Sequence, residues 1–108
     1  MTTNQNTLRI FDDAVAIVTG GASGIGKALA EELVKRGCEV VLADLQIELA
    51  KEVASGIRTT AGKATAVEVD VTDFSAVEAL VQNTVERTGR LDYMFNNAGI
   101  GIIDSIDR

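Results

Sequence analysis

Residues 14 to 26 read AVAIVTGGASGIG, and the fold follows from them. Ala14 to Thr19 is an unbroken apolar run that stops at Gly20-Gly21. Its length and its Val and Ile content predict a strand. An unbroken run, rather than an alternating one, suits a strand covered on both faces, as in a parallel sheet. Gly20 to Gly26 then holds four glycines in seven residues. Glycine lets the chain turn sharply and lets backbone approach a ligand with no Cβ in the way. Beyond it Ile25, Leu29 and Leu33 step by four, with Ala28 beside them, and Gly37 follows. That spacing predicts an amphipathic helix with a glycine stop. A strand that turns through glycine into a helix presents free N–H groups and a positive dipole end to an anion such as a pyrophosphate. A plain strand-to-helix turn would also use glycine, and Gly20-x3-Gly24-x-Gly26 differs from the common G-x-G-x-x-G spacing.

Working outward, the same alternation recurs. Cys38 to Ala43, Ala64 to Val69 and Leu91 to Phe95 are further strand-length apolar runs. Leu49, Val53 and Ile57, with Leu45 a turn earlier, predict a second helix ahead of Gly62. Val77, Val81 and Val85, with Leu80 beside them, predict a third ahead of Gly89, with Asp73 as its N-cap. The order β-α-β-α-β-α-β makes the chain α/β, a doubly wound parallel sheet of four strands and three helices. No linker or repeat divides residues 1–108, which read as a single unit. Residues 1–9 are expected to be a mobile polar leader.

Composition narrows the function. Ten Lys and Arg face 16 Asp and Glu, for a formal charge of −6. That argues against a nucleic-acid footprint, which needs a basic face. No apolar run approaches the roughly 18 residues of a membrane span, and the opening MTTNQNTLRIFDD has no basic region followed by an apolar stretch, so it is not expected to be a signal peptide. Lone Cys38 excludes an internal disulfide framework and a Cys-cluster zinc site. These features point to the cytoplasm. There is no histidine, so the most common general base is missing.

Acidic residues stand where strands end. Asp44 closes the second strand, 18 residues after Gly26. A carboxylate there can accept hydrogen bonds from both hydroxyls of an adenosine ribose, and it would repel a 2′-phosphate. No Lys or Arg adjoins it, and Ser23 rather than a basic residue precedes Gly24, so NAD is expected over NADP. The alternative role for Asp44 is an N-cap for a helix starting near Leu45. Asp70-Val71 closes the third strand, where a carboxylate and an apolar side chain could meet an adenine or simply lead into a capped helix. Gly21 to Lys27 also reads as the first seven positions of a P-loop. Ala28 then stands where the magnesium-binding Ser or Thr belongs, which disfavours nucleotide hydrolysis.

With Asn96-Asn97-Ala98-Gly99 ending the fourth strand, the set resembles the short-chain dehydrogenase/reductase family. The matching residues are TGGASGIG at 19 to 26, Asp44, Asp70-Val71 and NNAG at 96 to 99, in the family's order and spacing. The resemblance implies a Rossmann-like sheet of strand order 3-2-1-4, incomplete at its C-terminal side, that binds a nicotinamide dinucleotide. It implies that Gly20, Ser23, Gly24, Ile25 and Gly26 hold the cofactor through the glycine loop. It places Asp44 on the adenosine ribose, Asp70 and Val71 on the adenine, and Asn97, Ala98 and Gly99 near the nicotinamide-side ribose. Asn96 is expected to brace the strands.

Family members carry catalysis on Tyr-x-x-x-Lys with an upstream Ser and a further Asn. The one tyrosine, Tyr93, is followed four residues on by Asn97, and it lies in a predicted strand. These residues are therefore expected to be the cofactor-binding, N-terminal portion of a longer enzyme, and to be inactive alone. By the resemblance, the complete protein would pass a hydride between the nicotinamide and a small alcohol or ketone, as a homo-oligomer. A non-catalytic dinucleotide-binding module or a naturally shortened homologue is the alternative.

Overall fold

The computed structural model describes residues 12–22 and 24–97. Every residue of strand β1 (Val15–Thr19) is buried, as a strand covered on both faces requires. Helix α1 (Gly24–Lys35), strand β2 (Glu39–Asp44), helix α2 (Ile47–Thr59), strand β3 (Ala64–Glu68), helix α3 (Phe74–Thr88) and strand β4 (Tyr93–Asn96) follow in the expected alternation. The four strands form one sheet of order β3-β2-β1-β4. All pairings are parallel, with Ile17 opposite Val41 and Met94, and Asp44 opposite Glu68. The leader, residues 1–9, lies outside the described residues, as do Ser23, Ala98 and Gly99.

Alternate side chains of a strand serve opposite faces, and here they feed two cores. Ala16, Val18, Val40 and Leu42 pack with Ala30 and Leu33 of α1 and Val53, Ala54 and Ile57 of α2. Ile17, Val41 and Ala43 pack with Leu80 of α3 on the other face. Asp73 caps α3 as expected, its carboxylate accepting from Ala76 N at 3.2 Å. Gly89 ends that helix in the left-handed conformation, φ 86°, and donates to Val85 O at 2.7 Å.

The helix faces differ in detail from the hydropathy pattern. In α1 the buried line is Gly26, Ala30 and Leu33, whereas Ile25 and Ala28 are exposed. Small residues carry this face because the loop before the helix lies close against it. In α3 the buried line is Leu80 and Thr84, and Val85 is exposed. Thr84 tolerates burial because its hydroxyl donates back to Leu80 O at 2.8 Å. Leu45 precedes α2 rather than lying in it, since the N-cap is Gln46. The left-handed residue after α2 is Ala61, not Gly62. Gly62 is instead a packing position, where a Cβ would collide with Val34 and Ile57.

Candidate functional site

The carboxyl ends of the strands gather at one edge of the sheet. There β2 and β3 lie to one side of β1 and β4 to the other. Ligands of doubly wound sheets bind where strand order reverses in this way. The buried Thr19 hydroxyl, at the end of β1, donates toward Phe95 O and Asn96 Oδ1, both 3.3 Å away. Asn96 thus ties β1 to β4, the bracing role expected of it. Gly20 N then donates to Ala43 O at 2.8 Å, so the loop leaves β1 against the end of β2.

Three glycines of the loop have different reasons to be there. A Cβ on Gly21 would lie 2.8 Å from Leu42 Cδ2. One on Gly26 would collide with the Gly20 carbonyl and come within 3.0 Å of Asn97 Nδ2. Gly26 therefore permits close contact between helix and loop. Gly24 is the opposite case, left-handed at φ +56° with nothing within 4 Å of its would-be Cβ. This leaves open space over the first turn of α1, where helix N–H groups have no intrahelical partners.

Asp44 closes β2, and its carboxylate is held from two sides. Oδ2 accepts from Ala22 N at 3.1 Å, and Oδ1 accepts from Gln46 N at 2.9 Å. Asp44 is therefore not the N-cap of α2, which begins two residues later than an Asp44 cap requires. Each carboxylate oxygen has two acceptor sites, so one on each remains for a ligand hydroxyl. Asp44 and Gly20 together show how the loop's donors are divided. The N–H groups of Gly20 and Ala22 are committed to the end of β2. Those of Ile25 and Gly26, in the first turn of α1, face no such partner by helix geometry and suit an anion.

Asp70 lies just beyond β3. Its Oδ1 accepts from the Thr72 hydroxyl at 2.6 Å and from Thr72 N at 2.9 Å. Those two bonds, the hydroxyl's first, hold its carboxyl below the usual range. Val71 is half-buried against the α3 core. Asn97, just past β4, donates from Nδ2 to the carbonyl of Gly20, just past β1, at 3.4 Å. Gly20, Gly24, Ile25, Gly26, Asp44, Asp70, Val71 and Asn97 thus stand at one end of the sheet. Ser23, Ala98 and Gly99 lie outside the described residues.

Sequence reading missed two features. Ala22 carries no chemical signal, yet its N–H binds the strand-end carboxylate. Leu45 fits a helix stripe in the sequence but is 60% exposed beside Asp44. Ile25, Leu45 and Phe74, three of the four exposed large apolar residues described, all follow strand ends at this edge. The P-loop reading fails on geometry as well as on Ala28. Helix α1 already begins at Gly24, so Gly26-Lys27 lies within it and no wide loop remains to encircle a phosphate. Tyr93 sits in β4, its ring 6.1 Å from that of Phe95.

A parallel sheet of order β3-β2-β1-β4, with a glycine turn and an acidic strand end at its switch point, defines a Rossmann-like protein of the dinucleotide-binding class. A family model for short chain dehydrogenases matches residues 14–107. The chain belongs to the short-chain dehydrogenase/reductase family, oxidoreductases that use a nicotinamide cofactor. It is 44% identical over 100 residues to tropinone reductase-like 2 of Erythroxylum coca, covering 93% of this chain and 35% of that protein. It is 38% identical over 96 residues to meso-2,3-butanediol dehydrogenase of Serratia marcescens, covering 89% of this chain and 38% of that one. A hydroxysteroid dehydrogenase from Escherichia coli superposes with a TM-score of 0.82 at 34% identity, over 89% of this chain and 39% of that chain. The chain spans little more than a third of the length of these relatives. No helix among the described residues is long and apolar enough to cross a membrane.

Proposed function

We propose that these residues are the cofactor-holding part of an NAD-dependent oxidoreductase acting on a small alcohol or ketone. The observation that carries this reading is the Asp44 carboxylate, fixed by Ala22 N and Gln46 N with one acceptor site left on each oxygen. A diol needs two acceptors side by side, and a carboxylate anchored from both sides cannot swing away from a 2′-phosphate. In this reading Ile25 and Gly26 offer N–H groups to the pyrophosphate, and Gly24 leaves it room. Leu45, Asp70 and Val71 bound the adenine. Asn97, with Ala98 and Gly99, borders the nicotinamide-side ribose. The bound nicotinamide supplies or accepts the hydride. The residues of this chain bind and orient it, and in members of the family proton transfer falls to a Tyr-x-x-x-Lys dyad.

Relatives named as a reductase and as a butanediol dehydrogenase support the alcohol or carbonyl substrate. A buried free thiol, Cys38, supports a reducing compartment such as the cytoplasm. A homo-oligomer is expected from the family. The test is binding of NADH and NADPH to the complete protein. NADH should bind at least about tenfold more tightly, and Asp44→Ala should narrow that ratio. Equal affinities in the wild type, with no change on substitution, would remove Asp44 from the ribose site.

A further inference from the structure

We infer that Asp44 is also a positioning residue for the glycine loop, so that one carboxylate sets both the ribose acceptor and the donors that meet the pyrophosphate. The inference rests on the cofactor reading above and goes beyond it. Asp44 Oδ2 accepts from Ala22 N, 22 residues earlier in the chain, at 3.1 Å. Ala22 is buried, and its neighbour Gly21 packs against Leu42 of β2. Gly20 N is held by Ala43 O. The first three residues of the loop are therefore moored to the last three of β2, and among the described residues of β2 Asp44 is the one whose side chain supplies a hydrogen bond to that mooring.

The mooring has a chemical consequence. Two residues beyond Ala22 the chain enters α1 at Gly24, whose N-terminal N–H groups suit an anion. Gly26 lies against the Gly20 carbonyl with no room for a methyl group, so a shift of the loop is passed directly to the helix N-terminus. Removing the carboxylate leaves a buried N–H without an acceptor, which the loop can relieve only by moving. The effect then reaches ligands that have a phosphate but no adenosine ribose.

The test separates the two roles by ligand. Nicotinamide mononucleotide carries a phosphate and lacks the adenosine half. In the complete protein, Asp44→Ala should weaken its binding about fivefold or more, a factor in the range of one lost hydrogen bond. The peptide spanning residues 15 to 26 should exchange its amide hydrogens faster, while the interior of β2 exchanges as before. A general loss of structure would not produce that local contrast. Asp44→Asn leaves one acceptor oxygen for two backbone donors. It should move both readouts in the same direction by a smaller factor, and it carries the test if Asp44→Ala does not fold. Weaker NADH binding with unchanged mononucleotide binding and unchanged exchange would overturn the positioning role and leave the ribose role standing. A wild-type protein that binds neither ligand would overturn both.

Discussion

The same substitution should have opposite signs at two glycines. Gly56 lies in the exposed face of α2, with nothing within 4 Å of its would-be Cβ. Gly56→Ala adds a methyl group to open space and should stabilise the fold by about 0.5–1 kcal/mol, the helix-propensity difference. Gly26→Ala gains the same propensity, but its Cβ meets the Gly20 carbonyl and lies 3.0 Å from Asn97 Nδ2. The carbonyl is backbone and cannot rotate away, so loop and helix must separate. Overpacking of this kind costs roughly 1–3 kcal/mol, leaving a net loss on the order of 1 kcal/mol. The two variants of the complete protein should differ by about 2 kcal/mol. That corresponds to urea midpoints on the order of 1 M apart, at equal protein concentration and unchanged slope. Gly26→Ala should also weaken NADH binding, because the displaced helix turn is the proposed pyrophosphate donor. Equal stability of the two variants, with wild-type NADH affinity in Gly26→Ala, would refute the close-approach reasoning.

Two further outcomes follow from charge. Burial, then the nearby Asp92 and Glu39 carboxylates, push the Cys38 thiol up to about 11 from 9.0. Its contribution to stability is thus complete below pH 9 and is lost as pH rises toward 11. Cys38→Ala should flatten the alkaline fall of the urea midpoint, and an unchanged slope would contradict the assignment. Asp92 accepts from Val15 N and makes a two-point contact with Arg90, each bond 2.8 Å. The Arg90 bond first, then the Val15 bond, hold its carboxyl below the usual range. Its contribution is present above the unfolded value of 3.8 and is lost as pH falls through the lower folded value. Asp92→Asn should make the midpoint less sensitive to acid below about pH 4, and an identical acid profile would remove Asp92 from that role.

The architecture was legible because the chain changes its hydrophobic period at every element boundary. Apolar runs give way to steps of four beyond Thr19, Asp44 and Glu68, the last residues of β1, β2 and β3, although Asp70, read from the sequence as closing the third strand, lies two residues past its end. Parallel pairing brings all such ends to one edge of the sheet. The glycine loop, Asp44, Asp70 and Asn97 are therefore legible in the sequence as one group at the strand ends. Hydropathy misled where packing is set by backbone approach. The buried line of α1 runs through Gly26 and Ala30, whose small side chains barely register, while the stronger signal of Ile25 lies in solvent. Leu45 fitted a helical step of four, but the Asp44–Gln46 turn holds it outside α2.

The two readings of Asp44, ribose ligand or helix cap, could not be separated by spacing, because both need only a carboxylate at a strand end. Geometry adds a third partner that spacing cannot reveal. The Ala22 N–H becomes a neighbour of Asp44 only because parallel pairing sets Thr19 opposite Ala43 and so brings the loop after β1 to the end of β2. The residue type at position 22 is nearly irrelevant to that bond, since any residue but proline offers the same donor. Side chains at strand ends could thus be read as chemistry from the sequence, whereas the backbone donors that orient them became visible only once the strands were paired.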